Sequence, residues 1–273
     1  MSLPVQARAS LWFLICSFLQ RGISMVTTPI FTRLMNTTEY GQYGVFNSWY
    51  GIAGIIVGMS LTAGVHQQGL VKFDNERSVF SSSLQGLSTT LVFCWLMVFL
   101  LFHSFWEKLL GLPAMQIIFM LILVWTSAVS GYWANEQRML YRYRTLVTVT
   151  LVASLATPTL GILFMLQAQD KVTARILGMV VTSIIVYSWM FVDQYRKGRK
   201  FFSKRFWKYA LLYNLPLLPH YLSQIILSSS DRIMIERMVG ASEAGVYSLA
   251  YSVSLIMTLF NSALMQTLNH GKL

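Results

Sequence analysis

Acid is what this chain has least of: ten Asp and Glu stand against 21 Lys and Arg in 273 residues, and charged residues amount to 11%. A soluble domain carries roughly 25% charged residues, so the soluble globular class is excluded. Cysteine is nearly absent too. Cys16 and Cys94 both fall inside apolar runs, which excludes a disulfide framework and leaves the redox compartment unread. There is no H-E-x-x-H, no G-x-S-x-G, no phosphate-cradling glycine loop and no Cys/His ligand spacing, so no sequence signature of an enzyme is present. The few carboxylates are scattered, and no pair is spaced for acid/base work. No cofactor and no metal is expected.

What is present is apolar. Hydrophobic residues make up 55% of the chain and aromatics 14%, gathered in long runs. A spanning helix needs about 20 mostly apolar residues. Eight segments qualify: Leu11–Phe31, Tyr43–Val65, Leu84–Phe105, Pro113–Ala134, Leu146–Leu166, Ile176–Tyr195, Tyr209–Ser229 and Ala244–Thr267. Barrel strands would be about half as long, so the expected fold class is all-α, a polytopic membrane protein with about eight transmembrane helices. The first run has one preceding charge, Arg8, and no small-residue cleavage site after it, so it reads as a retained helix rather than a signal peptide.

The formal charge of +11 would suggest nucleic acid in a soluble protein. In a membrane protein it points instead to the anionic cytoplasmic leaflet; no nucleic-acid partner is expected. Loops on one side hold Arg8, Lys72, Arg77, Arg138, Arg142, Arg144, the seven cations of Arg196–Lys208 and Lys272, whereas the other side holds Arg33, Lys108, Lys171, Arg175, Arg232 and Arg237. The excess predicts a cytoplasmic N-terminus. The segment RKGRKFFSKRFWK interleaves its cations with Phe201, Phe202, Phe206 and Trp207. It reads as an interfacial linker, 196–208, between a six-helix first lobe, 1–195, and the first two helices of a second lobe, 209–273. Tyr132, Trp133, Tyr141 and Tyr143 beside Arg138, Arg142 and Arg144 read as an aromatic belt. Gly54 and Gly58, with Gly51 and Ala53 nearby, read as a close-packing face.

Two copies of R-x5-E-x-G-x-Y lie 204 residues apart, as Arg33–Glu39–Gly41–Tyr43 and Arg237–Glu243–Gly245–Tyr247; at that offset Gln20 falls on Gln224 and Ser24 on Ser228. Repeats of this kind occur in transporter folds. Six helices separate the copies, an even number, so the repeats run parallel.

With Arg21 inside the first run, TR-x5-EYGQYGVFNSW after it, the basic midpoint, and DRIMIERMVGASEAGVYSLAYSVS near the end, the chain resembles the Wzx-type polysaccharide and O-antigen flippases of the multidrug/oligosaccharidyl-lipid/polysaccharide exporter superfamily. The resemblance spans the whole chain. It implies twelve or more helices in two lobes around a central cavity, so a chain stopping after the eighth helix is expected to be truncated. It also implies alternating-access movement of an undecaprenyl-diphosphate-linked oligosaccharide across the bacterial inner membrane. The implied partners are a lipid-linked anionic glycan, membrane lipids and polysaccharide polymerase machinery. Two alternatives stand beside this reading: a cation-coupled multidrug extruder of the same superfamily, and a membrane-embedded glycosyl- or acyltransferase.

A charge at membrane depth faces a watery cavity or a partner. Ser17, Gln20, Arg21, Ser24, Thr27 and Thr28 share one stripe of the first helix, suited to an anionic glycan because a guanidinium matches phosphate and hydroxyls match sugar. Bonding of Arg21 to helix carbonyls is the other reading. On the seventh segment Asn214, His220 and Gln224 are cavity candidates, with Pro216 and Pro219 as a hinge; His220 is either proton-responsive or a packing residue. Arg33, Glu39, Asp231, Arg232, Arg237 and Glu243 form either an outer gate of ion pairs or solvated turn charges. Asp193 is expected to pair with the basic linker.

Overall fold

A computed structural model describes residues 5–252 and 254. Its helices in chain order are α1 (Val5–Leu34), α2 (Thr37–Ile56), α3 (Gly64–Lys72), α4 (Arg77–Leu101), α5 (His103–Leu110), α6 (Ala114–Met139), α7 (Tyr143–Gln167), α8 (Lys171–Gly198), α9 (Lys204–Asn214) and α10 (Leu218–Met238), followed by helical residues 241–252, here α11. Among the described residues there is no strand, and the chain is an all-α polytopic membrane protein. Among the described residues five stretches are long and apolar enough to cross a membrane: Leu11–Leu34 in α1, Asp74–Leu101, which is α4 with the 3-10 turn before it, and α6, α7 and α8. Residues 253 and 255–267 of the eighth expected segment lie outside the described residues.

Local chemistry sets the helix starts. Asn36 and Glu39 form a capping box at α2, each side chain accepting from the other's backbone N–H at 2.8 Å. Asp170 caps α8 by accepting from Thr173 N at 3.0 Å. Gly111, at φ +66°, terminates α5 in the left-handed conformation glycine adopts without penalty.

The second expected segment is not one helix. α2 stops at Ile56 and α3 begins at Gly64, with Met59 and Ser60 at φ 50° and 47° between them. Left-handed backbone costs a non-glycine residue about 1–2 kcal/mol, and breaking the helix frees carbonyls inside the bundle. Two distant asparagines take these up: Asn214 donates to Met59 O, and Asn135 donates to Thr62 O at 2.7 Å. Asn214 is fully buried and sits where α9 gives way to a 3-10 turn, Leu215–Leu217, carrying Pro216. The two interrupted helices therefore meet at their breaks. Asn214, a cavity candidate on the seventh expected segment, is committed to this joint. Asn214→Ala is expected to cost about 1–3 kcal/mol, the penalty of leaving a buried carbonyl unpaired, read as a lower thermal midpoint of the purified protein.

α8 is the central helix of the bundle, packed on α7, α6 and α4, while α1 leans on α7 and α10 on α2. A Cβ on Gly178 of α8 would run into the backbone of Gly161 on α7, so this pair approaches closely. The basic segment 196–208 is fastened to α4 and to the turn before it. Ser82 Oγ donates to Lys200 O at 3.0 Å, Trp207 Nε1 to Ser83 O at 2.9 Å, and Arg205 pairs with Glu76 at 3.0 Å. Phe206, expected at the interface, is buried with its ring 5.1 Å from that of Phe73 and 5.4 Å from that of Phe80. Asp193 pairs with Lys197 at 2.5 Å, as the sequence suggested.

Two other expectations are corrected. Tyr132 and Trp133 are core residues, 0% and 3% exposed, and not a belt; Tyr132 shares a 2.7 Å hydrogen bond with Ser88. Within the expected small-residue face, Gly51 is closely packed, its Cβ position 2.8 Å from Ile225 of α10, whereas that of Gly54 meets nothing within 4 Å; Gly41 and Gly44, which abut α11, are tight as well.

The repeat acquires a geometric meaning there. A Cβ on Gly41 would strike Ala241 O and Gly245 N, and a Cβ on Gly245 would strike Thr37 O and Gly41 N. Ala241 is the counterpart of Thr37 at the 204-residue offset, and Gly245 that of Gly41. Reciprocal contacts of this kind are what a local two-fold relation between the copies produces. The hydroxyls of Thr37 and Ser242 complete the junction at 3.0 Å.

Candidate functional site

A polar cavity of about 350 Å³ opens between α1, α2, α7 and α8. α1 supplies Gln20, Ser24 and Thr27, spaced at three and four residues so that they share one face. α7 supplies Thr150, Ser154 and Thr157; α2 supplies Tyr43; and α8 supplies Arg175, Met179 and Tyr187. Small-molecule sites run from about 300 to 1,000 Å³, which puts this one at the small end.

Among the described residues that line the cavity, Arg175 alone is charged. Its guanidinium carbon lies 3.8 Å from the ring centroid of Phe31 and 3.6 Å from that of Tyr43, so both flat faces are covered by aromatic rings. Cation–π attraction of this geometry is worth about 0.5–2 kcal/mol per ring. Nη1 lies 3.4 Å from Met35 Sδ, a weak acceptor. Among the described residues the ion pairs are Arg77–Asp74, Lys197–Asp193 and Arg205–Glu76; Arg175 is in none of them.

Sequence reading missed Arg175 by starting the sixth segment at Ile176 and counting the arginine as a loop charge. The signal that would have found it is Asp170, an N-cap that moves the helix start to Lys171 and carries Arg175 past the first turn.

The expected polar stripe of α1 divides. Gln20 donates to Ser154 Oγ at 3.1 Å and lines the cavity with Ser24 and Thr27. Ser17 and Thr28 bond backward to Phe13 O and Ser24 O and stand outside the lining. Arg21 is exposed on a neighbouring face of α1 and is not among the cavity residues. On α10, His220, Gln224 and Ser228 form an exposed row at four-residue spacing, with Gln224 Nε2 3.3 Å from His220 Nε2. Pro219 stands at the start of α10 and Pro216 in the turn before it.

The six outer-junction charges do not pair with one another. Glu39 is used in the capping box, and Asp231 accepts from Tyr247 OH at 2.7 Å. Arg232 lies 4.4 Å over the Tyr251 ring, and Arg237 donates to Leu109 O. Arg33 and Glu243 are exposed. The junction is closed by glycine backbones and hydroxyls, which approach more closely than long charged side chains allow.

A second cavity, about 200 Å³, is apolar and lined by Trp49, Trp95, Trp106 and aliphatic residues of α2, α4, α5 and α6. Among the described residues no group of three or more His, Cys, Asp or Glu could hold a metal.

No curated protein and no solved structure is similar to the chain at a significant level. A protein-family comparison does match: residues 7–268 fit the family described as polysaccharide biosynthesis protein. That match covers nearly all of a helical membrane chain with an internal repeat and a cavity lined by amide, hydroxyl and guanidinium groups, and the chain belongs to the polysaccharide biosynthesis protein family.

Proposed function

We propose that this protein translocates an undecaprenyl-diphosphate-linked oligosaccharide, an O-antigen, capsule or exopolysaccharide unit, across the bacterial inner membrane. Its mechanism is alternating access, it has no catalytic chemistry of its own, and its N-terminus is cytoplasmic. The observation that carries the reading is the first-lobe cavity: amide and hydroxyl groups suited to a glycan, one guanidinium suited to an anion and, among the described lining residues, no carboxylate suited to a cationic drug. Family membership supports the polysaccharide pathway, and the paired interruptions in α2/α3 and α9/α10 supply bendable elements of the kind found where helices line a transport route.

Arg21 has a separate role in this reading. Exposed on α1, it stands with the His220–Gln224–Ser228 row of α10 as the polar wall of the passage between the lobes, where the diphosphate travels. Arg33, Glu39, Asp231, Arg232, Arg237 and Glu243 surround its outer end, and Pro216 and Pro219 form the hinge.

The test is leaflet exchange of a fluorescent polyprenyl-diphosphate oligosaccharide in proteoliposomes, read with a membrane-impermeant quencher. Wild-type protein is expected to accelerate exchange at least tenfold over empty liposomes. Arg21→Ala is expected to return exchange to near background while inserting normally. A wild-type rate equal to that of empty liposomes overturns the function, and normal exchange by the inserted Arg21→Ala variant overturns that residue's role.

A further inference from the structure

The hydrogen bonds already made inside the first-lobe cavity specify the chemistry of what enters it. Ser24 Oγ donates to Gln20 O at 3.1 Å, Thr27 Oγ1 to Ser24 O at 3.2 Å, and Ser154 Oγ to Thr150 O at 2.8 Å. A hydroxyl has one proton, so each of these has spent its donor on its own helix; Ser24 and Thr27 retain lone pairs, and Ser154 retains one after accepting from Gln20. Gln20 has likewise committed a donor to Ser154 and keeps its carbonyl oxygen as an acceptor. Pro158, within α7 and part of the lining, lacks an N–H and leaves the Ser154 carbonyl without its helix donor. The wall built by α1 and α7 is therefore rich in acceptors. It suits a ligand that brings its own O–H groups.

The α8 side has the opposite character. Phe31 and Tyr43 cover both faces of the Arg175 guanidinium, so its remaining polar surface is the in-plane edge of N–H donors, of which Nη1 also reaches the weak acceptor Met35 Sδ. A guanidinium held by its faces is fixed in orientation before a ligand arrives, and its edge matches two oxygens of a carboxylate or phosphate. A preorganised donor edge also binds at lower entropic cost than a free one.

We infer that this cavity binds a polyol bearing one anionic group, namely an acidic or phosphorylated sugar unit, with hydroxyls donating to the α1–α7 wall and the anion on the edge of Arg175. A neutral sugar leaves Arg175 unmatched, an inorganic anion leaves the acceptor wall unmatched, and a cation meets the guanidinium. The inference deepens the transport reading by assigning a sugar-recognition site within the first lobe, apart from the exposed Arg21 face. The phosphate of a glycan's reducing end and the carboxylate of a uronic acid share the required chemistry.

The experiment is equilibrium binding to the full chain in nanodiscs, by calorimetry and by thermal midpoint, with glucose 1-phosphate, glucuronate, glucose and inorganic phosphate at matched ionic strength. At least one of the two anionic sugars is expected to bind tenfold or more tighter than glucose or phosphate, and to raise the midpoint accordingly. Whichever binds tighter separates the phosphate source from the carboxylate source. Arg175→Gln is expected to reduce that preference to less than threefold. Should the variant fail to fold, Thr157→Val in the opposite wall is expected to weaken both anionic sugars while leaving inorganic phosphate unchanged. Equal binding of all four compounds by wild type, or no binding, overturns the inference without any variant. Binding of soluble sugars needs no translocation, so loss of the transport reading in proteoliposomes leaves this result interpretable, and the converse also holds.

Discussion

Gly41→Ala is expected to lower the thermal midpoint of the purified protein sharply, whereas Gly54→Ala in the same helix is expected to leave it unchanged or raise it. The two substitutions add the same methyl group, and α2 is as helical at one site as at the other. The difference is tertiary. At Gly41 the new carbon meets the backbone of Ala241 and Gly245, and a backbone cannot turn aside as a side chain can; at Gly54 nothing lies within 4 Å. Overpacking in a well-packed site costs about 1–3 kcal/mol, while glycine to alanine in an open helical position gains about 0.4–1 kcal/mol. Gly245→Ala is expected to match Gly41→Ala, because the contact is reciprocal. The double variant is expected to fall short of the sum, since the first methyl already parts the helices that the second would part. Equal midpoints for Gly41→Ala and Gly54→Ala would show that α2 and α11 do not cross where the structure places them.

His66→Ala is the second large expected loss. The ring is fully buried, with its centroid 5.9 Å from that of Phe80 and 4.8 Å from that of Tyr132. Its hydrogen bonds fix the tautomer. Asn135 Nδ2 lies 3.3 Å from Nδ1 and carries only protons, so Nδ1 accepts; Nε2 therefore carries the hydrogen and donates to Ser81 Oγ at 3.0 Å. The same Asn135 amide reaches Thr62 O, so one chain of polar contacts joins the helix break, α6, α3 and α4. Removing the ring leaves a cavity and frees Ser81 and one Asn135 proton. The cavity of a large-to-small change costs about 3–5 kcal/mol for an aromatic side chain, and unmatched polar groups add to it. His66→Gln, which keeps an acceptor and a donor on a smaller body, is expected to recover part of the loss. A midpoint for His66→Ala equal to wild type would refute this network.

The site was half legible in the sequence. Gln20, Ser24 and Thr27 follow from helical spacing, because the periodicity of an α-helix puts residues three and four apart on one face whatever surrounds it. Arg21 is conspicuous in the sequence because it interrupts an apolar run, whereas Arg175, at the edge of one, has the local sequence of a loop charge. What makes Arg175 chemically distinctive is the pair of rings above and below it, and these come from residues 31 and 43, more than 130 positions away in the chain. No local window contains that arrangement.

The sequence by itself determined the membrane class, most of the spanning helices and the repeat, since each follows from the transfer preference of a continuous segment or from a match between two short strings. Tertiary structure alone decided where α2 breaks, because the left-handed turn at Met59 and Ser60 persists only while Asn135 and Asn214 take up its carbonyls. It also decided that Tyr132 and Phe206 belong to the core, and that the two copies of the repeat touch through glycine backbones instead of through their charges. A segment's composition records what it prefers to leave water for; which distant residue satisfies it there is settled only when the helices pack.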